Sequence, residues 1–522
     1  MKRAIAVLMV LLLAFSAFAG ADSEVKTSTT ETAVSHEGGT LKISVPGDVS
    51  SLLAYKLRGG TDRAYGCIMF EKLLNMDGKG NPVPYLLDSY EQNPANRTYT
   101  LHVKKGVKFH DGSDLNAEVV KWNLDIYKEK GAQNKSFLGK LDYVEVVDEY
   151  TAVMHLTNWD ALVPFYMARE GGCGYIMSKL AYETYGENWC KENFVSTGPF
   201  KLIKWNHDDS TILERFDGYW QGKPYLDAVE FHIYREATTI EAAFLTGDVQ
   251  AVMMTTSEVG DFLGLQGFTV KSAAIPSNAQ TIGFQSAKES DPFHDIRVRQ
   301  AACYAMDTGA ITKAMWGDYG EPATQYARTG STYWSDKIDG YQYNPEKAKA
   351  LLTEAGYPNG FKTEIWANTQ GGTSQVLAQI VIEQLAGVGI DVKLKLIDNA
   401  GYSVILDGWD GGMLIHSMGM DAGVPAQIAG SYADGLTSGV GLKSFDRPAS
   451  LGPTITNGCA SDAEGVIKYF KEAQEIIFQD NCLLKAIAVT FPIAVKSPKL
   501  HDDGIGETAS SSADIWDAWL EK

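Results

Sequence analysis

Asp421 sits in the run Met418-Gly419-Met420-Asp421-Ala422-Gly423-Val424-Pro425, a glycine-rich stretch that can bend and present a carboxylate. A buried carboxylate without a partner is costly, so a site that closes over Asp421 would favour a cation. Capping a turn is the other use of an Asp in such a loop. Just upstream, His416 with Met413, Met418 and Met420 offers imidazole and thioether donors, which suit soft or borderline metals. Methionines that simply pack are the plainer account of the same residues. Trp366 and Tyr55 are candidate flat walls, and Asn399 and Asn368 candidate polar contacts. Arg58 is a candidate partner for a ligand carboxylate.

Motifs of covalent catalysis and of catalytic zinc do not occur: there is no G-x-S-x-G, no H-E-x-x-H and no C-x-x-C. Gly439-Val440-Gly441-Leu442-Lys443-Ser444 lacks the adjacent Gly-Lys and the spacing of a phosphate loop. No enzymatic role and no cofactor are expected. A formal charge of −19 argues against nucleic acid or anionic lipid as a main partner.

These residues need elements to position them. Tyr99, Leu101 and Val103 alternate with polar neighbours as in a half-buried strand, and a hairpin through Lys105-Gly106 to Val107-Lys108-Phe109 is predicted. Asn116 should cap a helix that buries Val119, Val120, Leu124, Ile126 and Tyr127. Asn344 with Pro345 should start another helix, and Gly356 should end it. A strand around Trp366, a helix carrying Val376, Leu377, Ile380, Val381 and Leu385, and the strand 390–396 make a βαβ unit, hence an α/β fold. Lys2-Arg3, an apolar run over 5–18 and the small residues Ala19-Gly20-Ala21 read as a cleaved signal peptide over 1–21, followed by a flexible segment over 22–38. Of six cysteines, Cys173 and Cys190 are the first candidates for a disulfide, with buried free thiols the alternative.

Several segments together resemble one family. They are Val83-Pro84-Tyr85-Leu86 through Lys105-Gly106-Val107-Lys108-Phe109-His110-Asp111-Gly112, then Ser196-Thr197-Gly198-Pro199-Phe200, Tyr219-Trp220-Gln221-Gly222-Lys223-Pro224 and Pro292-Phe293-His294-Asp295-Ile296-Arg297-Val298-Arg299-Gln300-Ala301. Phe244-Leu245-Thr246-Gly247-Asp248-Val249 matches less closely. The chain is similar in these segments to the family 5 extracellular solute-binding proteins, the oligopeptide-, dipeptide- and nickel-binding components of bacterial ABC importers. The resemblance implies a type II periplasmic binding protein with two lobes joined by a hinge, lobe I being split into two subdomains. Lobe I would span 39–274, with an outer subdomain over about 69–193, and be completed by 492–522; lobe II would span 275–491.

It also implies a monomer that captures a peptide or peptide-like solute and delivers it to a membrane permease. In peptide-binding relatives a W-x-x-D-x-x-x-P loop pairs its Asp with the ligand's α-amino group, which assigns that role to Asp421, with Met418, Gly419 and Met420 alongside. Met418 stands where those relatives carry Trp, Asn399 where a pocket Trp is common, and the loop after Trp366 lacks the Arg of dipeptide binders. An oligosaccharide, nickel or a metal chelate remain alternative ligands, with His416 the candidate metal ligand. The first cysteine is Cys67, so no cysteine stands at the cleavage site for lipid attachment, and a soluble periplasmic protein is expected.

Overall fold

The computed structural model describes residues 36–57, 61–131, 133–369, 372–420, 423–436, 439–502, 504–505 and 515–522. The expected signal peptide, and residues 22–35 of the segment after it, lie outside the described residues. Two large mixed sheets divide the chain. The first runs in the order Thr269–Ser272, Ile493–Lys496, Ala251–Thr255, Thr40–Val45, Ala228–Ile233, Ser210–Arg215, Phe200–Asn206. The second runs Gly320–Pro322, Leu484–Thr490, Asn278–Phe284, Met413–Gly419, Phe361–Asn368, Ile390–Ile397. A third, antiparallel sheet of four strands spans Leu87–Asn93, Thr98–Val103, Thr151–Leu156 and Leu141–Asp148, and the helix Ala117–Lys130 packs on it.

The chain passes between the two large sheets twice, over 273–277 and over 491–492. These segments are bonded to each other: Ala273 N donates to the Pro492 carbonyl (3.0 Å) and Ser277 N to that of Thr490 (2.9 Å). The link is therefore a two-stranded ribbon rather than two independent tethers.

Local signals act as the residue types predict. The Asn116 side chain accepts from Val119 N at 3.1 Å, and that of Asn344 from Lys347 N at 3.0 Å. The strands Phe361–Asn368 and Ile390–Ile397 are parallel, with Phe361 opposite Ile390, and the helix Thr373–Ala386 connects them. Their entry turns meet so closely that a Cβ on Gly360 would lie 1.7 Å from the Gly389 carbonyl oxygen, so only glycine fits.

The hairpin expected at Lys105-Gly106 does not form. Thr98–Val103 pairs with Leu87–Asn93 and Thr151–Leu156 instead. Val107 and Phe109 are buried, but their backbones bond to the 113–115 loop: Phe109 N donates to Ser113 O and Leu115 N to Val107 O, each at 2.9 Å. Alternation reported burial there and could not report the partner.

Three polar residues lock the scaffold. Glu71, 4% exposed, accepts from Thr197 Oγ1 (2.6 Å), Tyr219 OH (2.8 Å), Tyr85 OH (3.1 Å) and Trp220 Nε1 (3.1 Å). His110 bonds the Ser196 carbonyl through its own N–H (2.9 Å) and the Gly198 carbonyl through Nε2 (2.9 Å). A carbonyl only accepts, so Nε2 carries the proton, and burial holds the imidazole near pKa 4, hence neutral. Arg299 directs its guanidinium at four main-chain carbonyls, those of Phe293, His294, Asn481 and Cys482, at 2.7–3.2 Å.

Burial pushes the Glu71 carboxyl up to about 7, although its four donors favour the ionised form. Between pH 4.5 and 7 the folded chain keeps a proton that the unfolded chain releases. The contribution of Glu71 to stability is therefore full below pH 4.5 and declines, by about 3 kcal/mol, as pH rises through 7. Thermal melts of the native protein and Glu71→Gln should differ most near pH 4.5 and progressively less toward pH 7.5. A difference independent of pH would refute the assignment.

Candidate functional site

The described residues among those singled out by the sequence lie on separate elements. Asp421 and Arg58 lie outside the described residues. Asn399 opens the helix Asn399–Ile405, whose cap is Asp398 accepting from Gly401 N (2.8 Å); the Asn399 side chain is not among the described parts. Met418, Gly419 and Met420 follow the strand Met413–Gly419 to the edge where the ribbon enters the second sheet. Gly419 opposes Asn278, and Met420 N donates to the Ser277 carbonyl (2.8 Å). The Met418 and Met420 side chains are buried.

Trp366 is half-buried and already engaged. Its Nε1 donates to Glu364 (2.9 Å), and Lys395, paired with the same carboxylate (2.9 Å), lies 4.7 Å over its ring. Asn368, two residues on, ends the strand on the same face. Tyr55 is not a wall. It has no exposed surface and packs edge-on against Tyr127 in the first lobe's core, with ring centroids 6.4 Å apart. Trp409, another aromatic suited to stacking a sugar, is also core, packed against Phe445.

His416 is 6% exposed, its Nδ1 has no hydrogen-bond partner, and burial lowers its pKa to about 4. It is thus a neutral core imidazole at physiological pH. Among the described residues no group of three or more His, Cys, Asp or Glu is placed to hold a metal ion. The expected Cys173–Cys190 bridge is absent; both are buried free thiols.

What the fold does build is a cavity of 580 Å³ between the two large sheets, beside the ribbon. From the first sheet come Thr255, at the end of Ala251–Thr255, and Thr256 and Ser257, at the start of the helix Ser257–Leu265. From the second come Asn278, Thr490, and Gly372 and Thr373 at the start of the helix Thr373–Ala386. Trp316, Tyr319 and Phe491 supply aromatic surface. None of the described lining residues carries a charged side chain.

Both helices point their N-termini at this space, where unpaired N–H groups and the helix dipole favour negative charge. Thr256 caps the first of them, accepting from Val259 N at 3.5 Å. The second has Gly372 at its cap with φ +72°, which offers no side chain to bond its first N–H groups. Sequence reading did not single out Trp316, Tyr319, Thr373 or Phe491. Nothing in their local pattern distinguishes them from residues of an ordinary loop or helix start.

Comparison with known proteins places this architecture. The model of the bacterial extracellular solute-binding proteins, family 5, matches residues 81–438. The glutathione-binding protein GsiB of Pectobacterium atrosepticum is 31% identical over 361 residues, covering 68% of this chain and 69% of the relative. Among solved structures, the ABC transporter substrate-binding protein CtaP of Listeria monocytogenes superposes with a TM-score of 0.81 at 20% identity, covering 93% of this chain and all of that one. The periplasmic binding protein DppA of Helicobacter pylori, in complex with the peptide STSA, gives 0.71 at 22% identity over 93% of this chain and 99% of that one. The fold is thus that of the type II periplasmic binding proteins, and no helix among the described residues is long and apolar enough to cross a membrane. The chain belongs to family 5 of the bacterial extracellular solute-binding proteins, the substrate-binding components of ABC importers.

Proposed function

We propose that this protein captures a peptide-like solute bearing a free carboxylate between two lobes and hands it to its permease as a soluble periplasmic monomer. The observation that carries the proposal is the neutral, hydroxyl- and aromatic-lined cavity set between the sheets, with two helix N-termini directed at it. Lobe I is assigned to 39–274 with 492–522, and lobe II to 275–491. The ribbon at 273–277 and 491–492 would be the hinge, and ligand binding would shift the population from open to closed.

Asp421 is assigned the α-amino group of the ligand. It directly follows Met420, whose backbone is pinned to Ser277 at the hinge. The helix starting at Thr373 is assigned the carboxylate, in place of the arginine that dipeptide binders use. The GsiB relative is named for glutathione, a tripeptide with one amino group and two carboxylates, and that ligand class fits a cavity offering backbone donors rather than side-chain cations.

Native mass spectrometry of the gently desalted protein should reveal a co-purified ligand, and calorimetry should then rank glutathione, short peptides, oligosaccharides and nickel chelates. Peptide-like ligands should bind, with compaction visible in small-angle scattering. Binding of only a hexose series or a chelate would overturn the reading. Asp421→Asn should weaken an amino-bearing ligand at least about tenfold, the scale of one charge-assisted contact; unchanged affinity would remove the anchor assignment.

Thr373→Asp offers a second check. An acidic first-turn residue suits the helix itself, so folding should be kept. Its carboxylate would compete for the same N–H groups, so affinity for a carboxylate-bearing ligand should fall about tenfold or more. Unchanged affinity would place the ligand elsewhere.

A further inference from the structure

Cys303 and Cys482 are 179 residues apart in sequence, yet their sulfurs lie 3.3 Å apart in the core of the second lobe, and neither residue has exposed surface. The contact is held from both sides. Cys303 and Arg299 stand one turn apart on the helix Ile296–Ala305 and so share a face. Arg299 grips the turn that carries the other thiol, donating to the Asn481 carbonyl through Nη2 (2.9 Å) and to the Cys482 carbonyl through Nε (3.1 Å). Cys482 itself adopts φ +46°, a left-handed conformation that a non-glycine residue seldom takes. Two residues on begins the strand Leu484–Thr490, which lies between two neighbours in the sheet.

We infer that Cys303 and Cys482 form a disulfide in the exported protein, joining the helix Ile296–Ala305 to the strand Leu484–Thr490. The sulfurs need to approach by only about 1.2 Å to reach the usual bond length. The oxidant is an organic disulfide, as in the thiol–disulfide exchange of oxidising compartments. One thiolate attacks it to form a mixed disulfide and release a thiol. The second thiolate displaces the other half as a second thiol. The protein loses two electrons and two protons, and the oxidant gains them as two thiols. Because both sulfurs are buried in the folded chain, the exchange belongs to folding, before the lobe closes over them. The bridge would cross-link the lobe that supplies Asn278, Thr373 and Thr490 to the cavity, and the inference does not depend on which ligand binds.

The test uses the full chain, refolded with oxidised glutathione, then denatured and alkylated with N-ethylmaleimide before and after reduction. Two of the six cysteines should be protected until reduction, and peptide mapping should join the Cys303 and Cys482 peptides. Six adducts without reduction, or a bridge mapped to any other pair, would overturn the inference. A thermal melt gives an independent reading: reductant should lower the melting temperature of the native chain and leave that of the double variant Cys303→Ser, Cys482→Ser unchanged. A native chain insensitive to reductant would also count against the bridge as a stabilising link.

Discussion

A single buried carboxylate, Glu71, draws together segments that lie far apart in the chain. Its two oxygens collect donors from Tyr85, Thr197, Tyr219 and Trp220. Three of the four segments that carry the family resemblance therefore meet at this one acceptor or lie beside it, since His110 clamps the Ser196–Gly198 backbone next to Thr197. An acceptor buried this deeply is tolerable only when its lone pairs are filled. The first sheet, the outer four-stranded sheet and the loops between them are thereby fixed in one arrangement.

The adjacent Lys72 extends the same logic. It is buried in an ion pair with Glu170, which also receives the Tyr175 hydroxyl, and Lys72 donates further to the Ala168 carbonyl (2.9 Å). Two neighbouring residues of opposite charge thus enter the core with separate sets of partners. In the second lobe, Arg299 is the counterpart: a lone guanidinium satisfied by carbonyls alone. On the proposed function, closure occurs at the bonded ribbon between the two large sheets.

Much of the scaffold was legible in the residues because its signals are local. The caps at Asn116 and Asn344 and the parallel pair flanking the helix Thr373–Ala386 follow from side-chain chemistry within a few residues. The failed hairpin at Val107–Phe109 marks the limit: period-2 burial is local, while the strand's partner is not. Candidate site residues fared unevenly for the same reason. Tyr55 and Trp409 have the types of stacking walls, but a residue's type does not say which side of a lobe it faces, and both lie in cores. His416 reads as a ligand in sequence and sits in the structure as a neutral, packed imidazole.

By itself the sequence determined the family, the α/β class and the absence of known catalytic motifs, because each is written in contiguous residue types and spacings. Only the tertiary structure decided that Glu71 is the junction of the scaffold, that Cys303 lies against Cys482, and that Thr255, Asn278, Thr373 and Phe491 line one cavity. Those facts depend on which distant segments the two sheets bring together, and a chain that crosses twice between lobes places neighbours in space hundreds of residues apart in sequence. Burial and hydrogen-bond satisfaction act on that three-dimensional neighbourhood, so no local pattern could have announced them.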